Sequence, residues 1–323
     1  MNETLVIPDT RLLPGLGLPP TNLPNAYGKS VSFADLVEGK IAVVTVLGVE
    51  CPLAKLYAKR LKDLADGYAG RGVVFVAVDA NRQDSLTEVA AFKRRYELDF
   101  PILKDNEAAL VDWLGAERTP EAFVLDATGG VRYRGRIDDQ YGVGYVRDDA
   151  EQHFVRDALE ALLAGRPVST PETDAVGCVI GRPRAPDESS PVTYANQVSR
   201  VLQKHCVECH RDGEIAPFTL TDYDEVVGWA DTIAEVIRDQ RMPPWHADPS
   251  VGHYEGERLM SDAEKQLVYE WVEHGAPEGD PAELPQPRTF VTGWRLPREP
   301  DLVLPMRSVP YLVPAEGVIE YQY

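Results

Sequence analysis

Cys206-Val207-Glu208-Cys209-His210 places two thiols and an imidazole side by side. Cys-x-x-Cys-His is the attachment signature of a c-type haem: the thiols add across the vinyl groups and the adjacent imidazole becomes the proximal iron ligand. Two other chemistries use a Cys-x-x-Cys pair. A redox-active pair follows a buried strand and opens a helix, whereas this one follows a helical stretch, residues 193–204, with Val198, Val201 and Leu202 on one face. A zinc site needs a second ligand pair at finger-like spacing, and no Cys lies downstream of Cys209. The expectation is one covalent haem c, attached at Cys206 and Cys209, with His210 on the iron.

A sixth ligand is sought among the Met and His residues that follow. Met242 lies in Arg241-Met242-Pro243-Pro244-Trp245, where the prolines impose a non-helical segment able to hold a thioether toward iron. Thioether with imidazole raises the reduction potential and favours electron transfer over oxygen chemistry. Core packing is the competing role for Met242, and His246 and His253 are the rival ligands. Met260 directly precedes a helix cap and is read as packing; His205 is given no role.

Cys51 is the second chemical feature, in Gly48-Val49-Glu50-Cys51-Pro52. It follows an apolar run and opens a helix, and a helix N-terminus stabilises the nucleophilic thiolate. Lys55 adds to that field and Glu50 opposes it. Ala54 stands where a local Cys-x-x-Cys would place its second thiol, so a local disulfide is impossible. Cys178 is the other Cys outside the haem motif, either the partner of Cys51 or an incidental residue. An inert core Cys is the alternative for Cys51 itself.

These residues need elements to position them. Residues 41–47 and 73–78 are continuous apolar runs, as in strands buried on both faces. Helical spacing follows over 52–69, 85–96, 107–114 and 151–163. Residues 122–125 and 131–134 flank Asp126-Ala127-Thr128-Gly129-Gly130, a hairpin with turn chemistry. Parallel units of this kind imply a central sheet with helices on both faces over residues 1–166. Residues 167–189, rich in Pro, Gly, Ser and charge, read as a linker carrying Cys178. Residues 190–285 read as all-helical, with a capping box at Ser261-Asp262-Ala263-Glu264 opening a helix whose Leu267, Val268, Trp271 and Val272 share a face. Residues 286–323 show strand fragments at 302–304, 311–313 and 318–321 split by prolines, the start of a truncated β domain.

The net charge of −19 argues against nucleic acid as a partner. No apolar run is long enough to span a membrane. Residues 1–17 lack the basic start and apolar core of a leader, whereas c-type haem is attached outside the cytoplasm. The expectation is a periplasmic or otherwise extracytoplasmic protein whose leader is absent from this chain.

On Cys51-Pro52, Thr119-Pro120 and the element order, residues 25–165 resemble the redoxin branch of the thioredoxin superfamily, related to peroxiredoxins and to thiol–disulfide proteins of cytochrome c maturation. The resemblance implies a reactive thiol at Cys51 and a cis-proline at Pro120, beside Thr119, shaping a groove for an extended substrate. The chain departs at Gly48, where peroxiredoxins carry Thr or Ser, and at Ala54. On Cys206 to His210 and Met242-Pro243-Pro244-Trp245, residues 190–285 resemble a bacterial mono-haem cytochrome c. Residues 286–323 are similar to the lead-in of a copper type II, ascorbate-dependent monooxygenase-like domain. Together these imply an oxidoreductase joining haem electron transfer to thiol or peroxide chemistry at Cys51 and Cys178, with a redox protein, small oxidant or thiol as partner. A pure electron carrier with an inert scaffold domain is the alternative. A copper chaperone using Cys51 and Cys178 is a third reading.

Overall fold

The computed structural model describes residues 18–19, 21–245, 247–248, 250–291 and 298–304. The chain divides into two compact units, Met1–Gln286 and Pro287–Tyr323. In the first, a short hairpin of β1 (Asn22–Pro24) and β2 (Ser30–Ser32) and helix α1 (Phe33–Val37) lead into β3 (Ile41–Val46) and α2 (Pro52–Gly67). There follow β4 (Val73–Asp79), α3 (Leu86–Arg95), β5 (Ile102–Lys104), α4 (Ala109–Leu114), β6 (Arg118–Thr119), β7 (Glu121–Leu125), β8 (Val131–Gly135), the small pair β9 (Tyr141–Gly142) and β10 (Tyr145–Val146), and α5 (Phe154–Leu163).

The main sheet has the order β5-β4-β3-β7-β8; β3, β4 and β5 run parallel, and β7 and β8 antiparallel. Both faces are covered, which explains the unbroken apolar runs. Val43 packs with Tyr57, Leu61, Phe92 and Leu159 on one side. Ala42, Val44 and Val46 pack with Phe33, Leu110 and Leu114 on the other. The helix expected from residue 107 starts at Ala109 instead, because the Asp105 carboxylate accepts the N–H groups of Ala109, Leu110 and Val111 at 3.1, 2.8 and 3.0 Å.

Residues 167–189 are not a free linker. Arg134 N–H donates to Pro171 O and Thr173 N–H to Arg134 O, both at 3.0 Å, so the segment lines the β8 edge. It then forms β11 (Cys178–Val179), antiparallel to β6 with Cys178 opposite Thr119. Ile180, 1% exposed, enters the core around Phe33 and Leu110. Polar and proline-rich composition suggested solvent; edge hydrogen bonds and one buried isoleucine decided otherwise.

Among the described residues, 190–285 hold helices and no strand. A π-helical turn, Tyr194–Val198, leads into α6 (Ser199–His205), followed by α7 (Tyr223–Val227), α8 (Ala230–Arg238) and α9 (Asp262–Glu273). Val198, Leu202, Ile233, Ile237, Val268 and Trp271 share one core. The Ser261–Glu264 capping box forms as expected.

In the second unit, residues 302–304 form no strand, contrary to expectation. No neighbouring described strand supplies the partner that so short an extended run requires. The fragments at 311–313 and 318–321 lie outside the described residues.

Candidate redox site

Cys51 is the N-cap of α2, with Pro52 at the first helical position. It is 1% exposed, and its thiol donates to Thr119 O at 2.9 Å. The Thr119-Pro120 peptide is cis, as the resemblance implied. Antiparallel pairing of β11 with β6 carries Cys178 to the same point, where it packs against the core cluster that contains Cys51. Both are free thiols.

Burial pushes the Cys51 thiol up, but donation from the Cys178 side chain and from the amides of Ala54, Cys178 and Leu53 outweighs it and brings Cys51 down to about 7. The same hydrogen bond, together with burial, pushes Cys178 far up. The two sulfurs are thus pulled in opposite directions, Cys51 toward the thiolate and Cys178 toward the thiol, which suits disulfide chemistry. Lys55 and Glu50 do not act as opposing influences; they pair with each other at 2.6 Å. Since the Cys51 proton leaves near 7, the rate of iodoacetamide modification at Cys51 is expected to rise tenfold per unit below that pH and level off above it. A profile still climbing steeply at pH 8.5 would contradict the assignment.

Sequence reasoning missed the polar groups that hold the Cys51 loop. Asp84 Oδ2 accepts from Val49 N–H and from Asn81 Nδ2, both at 3.0 Å, and Asn81 Oδ1 accepts from Gly181 N–H at 2.9 Å. Behind them Lys104 Nζ meets Asp79 Oδ1 at 2.7 Å, both buried. Burial, reinforced by Asp84 and opposed by Lys104, pushes Asp79 well above the usual carboxylate range. The available signal was Asp79, Asn81 and Asp84 directly after a buried run, at a strand end where loops carry functional groups.

This network also accounts for Gly48. A Cβ there would lie 2.3 Å from Asn81 Nδ2 and 3.2 Å from Thr119 Oγ1. The space that a peroxiredoxin Thr or Ser would use is taken by a pinned asparagine. Gly48→Thr is expected to cost about 1–3 kcal/mol, the usual penalty for overpacking, read as a lower urea midpoint. Unchanged stability would show that Asn81 can move.

In the helical part, Cys206, His210 and Met242 line one cavity of about 320 Å³, walled by apolar groups including Phe218, Leu220, Ile233 and Val236. His210 Nδ1 lies 3.1 Å from Phe218 O. A carbonyl only accepts, so Nδ1 carries the proton and Nε2 keeps the lone pair a metal needs. Burial holds the His210 ring below its ordinary value, hence neutral. Met242 is 42% exposed, so core packing is not its role. It also borders a second cavity of about 680 Å³ with Trp245, whose buried Nε1 has no acceptor. An apolar cavity with a neutral imidazole and a thioether on its wall suits an apolar macrocycle, and the orphan Trp245 N–H in the neighbouring cavity could meet a carboxylate edge. Cys209 is off the cavity wall, with Sγ 3.8 Å from Arg258 Nη1.

The described rival, His253, does not reach the cavity. The His253 side chain is 98% exposed, and His246 lies outside the described residues. His205 Nε2 pairs with Glu264 at 3.1 Å. Met260 is buried and packs as expected, although it too borders the cavity. Among the described residues no three His, Cys, Asp or Glu side chains gather into a metal cage.

Residues 14–134 match the family model described as the AhpC/TSA family. The N-terminal region is a thioredoxin-like redoxin domain. The thiol-disulfide oxidoreductase ResA of Halalkalibacterium halodurans is 30% identical over 109 residues, 34% of this chain and 60% of that protein. ResA of Bacillus cereus is 27% identical over 104 residues, 32% of this chain and 58% of that protein. The chain thus spans about 60% of the length of the curated relatives it matches. An uncharacterized conserved protein of Geobacillus kaustophilus, known from its crystal structure, is 29% identical; the match covers 51% of this chain and 89% of that one, with a TM-score of 0.47.

Proposed function

We propose that this chain is an extracytoplasmic oxidoreductase in which Cys51 and Cys178 cycle between dithiol and disulfide beside a covalently held haem c. The observation that carries the thiol half is the pairing of β11 with β6, which sets a second thiol against Cys51 although α2 lacks one. The thiol-disulfide oxidoreductase relatives favour the same chemistry over peroxide reduction, as does the filled space at Gly48. In catalysis Thr119 O orients the Cys51 thiol, and the Ala54, Leu53 and Cys178 amides hold the charge that develops on it.

The haem half rests on Cys206, His210 and Met242 sharing one apolar cavity. Cys206 and Cys209 would attach the group, and His210 and Met242 would hold its iron. Bound there, haem supplies one-electron transfer. The helical part is read accordingly as a cytochrome c domain, and attachment chemistry argues for a location outside the cytoplasm. The partner is a redox protein or a small oxidant or thiol. A downstream copper-type domain belongs to the same reading, although most of residues 286–323 lie outside those described.

The deciding experiment is a spectrum and intact mass of the exported, matured protein. One haem per chain, a reduced α band, and alkylation confined to Cys51 and Cys178 are expected. A colourless chain with four alkylatable thiols would overturn the haem assignment.

A further inference from the structure

The edge of the redoxin domain at which an extended peptide would dock is filled by the chain itself. Peptides commonly bind by adding a strand to an exposed sheet edge. Here β11 already occupies β6, next to the Thr119 carbonyl that accepts from Cys51. The strand is clamped from both sides. Arg118 Nη1 donates to Gly177 O at 2.9 Å, and Val179 N–H donates to Thr232 Oγ1 of α8 at 3.1 Å. A Cβ at Gly177 would lie 2.1 Å from Thr119 O, so only glycine allows this approach. Cys178 therefore sits where a substrate cysteine would, and Cys51 behind it is closed off.

The couple is open in one other direction. Pro52, Leu53, Gly177 and Cys178 form part of the wall of the same cavity that Cys206, His210 and Met242 line. One carboxylate also ties the two ends together. Glu235 accepts from Arg118 Nη2 at 2.8 Å and from Arg241, so the residue beside Thr119 and the residue beside Met242 share a partner.

We propose that Cys178 is a built-in substrate thiol, and that the Cys51–Cys178 couple exchanges electrons with the one-electron carrier of the shared cavity instead of with external protein thiols. The inference rests on the haem reading above. Oxidation joins the Cys51 thiolate to the Cys178 sulfur, forming one S–S bond, releasing the Cys178 proton to solvent and giving up two electrons. They leave singly into the cavity. The second follows once an external one-electron acceptor, a metal complex or another haem protein, has removed the first. The reverse sequence reduces the disulfide.

The test uses the haem-loaded full chain, fully reduced and kept anaerobic. Two equivalents of ferricyanide are added while the α band is followed and free thiols are counted by alkylation. The band is expected to bleach and then return as the Cys51–Cys178 disulfide forms: the haem gives its electron to ferricyanide first, the two thiol electrons then refill it, and of three electrons the one that remains sits on the haem. In Cys51→Ser the band stays bleached. A coloured wild-type protein whose band stays bleached with both thiols free would overturn the inference and leave the haem reading standing; a colourless protein would defeat the reading itself. In a second arm, a disulfide-linked peptide is offered without ferricyanide. Wild type is expected to react at least tenfold more slowly than Val179→Pro, which removes the N–H that Thr232 accepts and loosens β11. Equal rates would overturn the closure of Cys51 to peptides.

Discussion

A Cys51→Ser chain is expected to lose the redoxin domain's thiol reactivity by a factor on the order of 10² or more at neutral pH, and to form no disulfide with Cys178 under oxidation. The reason is the division of labour between the two sulfurs. Cys51 alone gathers the amides of Ala54, Leu53 and Cys178, and burial, which by itself would protonate it, is overcome. Cys178 has the opposite environment and stays a thiol. Removing Cys51 leaves Cys178 without the neighbour that raises it most, but with the burial that still disfavours its thiolate. Removing Cys178 tests the same logic from the other side. Its hydrogen bond is the largest influence lowering Cys51, so Cys178→Ala is expected to move the Cys51 titration upward, read as thiolate absorbance against pH. A Cys178→Ala protein with an unaltered titration would show that the helix amides suffice.

On the proposed haem reading, Met242→Ala is expected to keep the group attached but to lower its reduction potential by on the order of 0.1 V, within the roughly 0.8 V span that iron ligands control. Thioether ligation favours the reduced iron, and its loss admits water or a stronger donor. Met242 borders both cavities and is 42% exposed, so the truncation removes little packing. Stability should therefore change far less than potential, which separates ligation from a structural role. His253→Ala serves as the comparison, because that side chain is 98% exposed and off the cavity wall. A potential unchanged in Met242→Ala and shifted in His253→Ala would reassign the sixth ligand.

Local patterns determined much of this protein. Unbroken apolar runs marked β3 and β4 because a strand covered on both faces has no polar side to show. The Ser261 capping box, the 126–130 turn and the placement of Cys51 before Pro52 were legible for the same reason: each depends on neighbours a few residues away. The spacing of Cys206, Cys209 and His210 raises the haem expectation from residue types alone. What lay beyond reach was set by contacts between residues distant along the chain. Residues 167–189 have the composition of a solvated connector, yet the β8 and β6 edges and the core around Phe33 capture them. Only that capture brings Cys178 beside Cys51. The Asn81–Asp84 bonds that fill the space at Gly48, and Glu235 bridging Arg118 to Arg241, likewise exist only once the chain is folded. Sequence carries the identity and order of reactive groups; burial and long-range hydrogen bonding, which set their pKa values and their partners, belong to the tertiary structure.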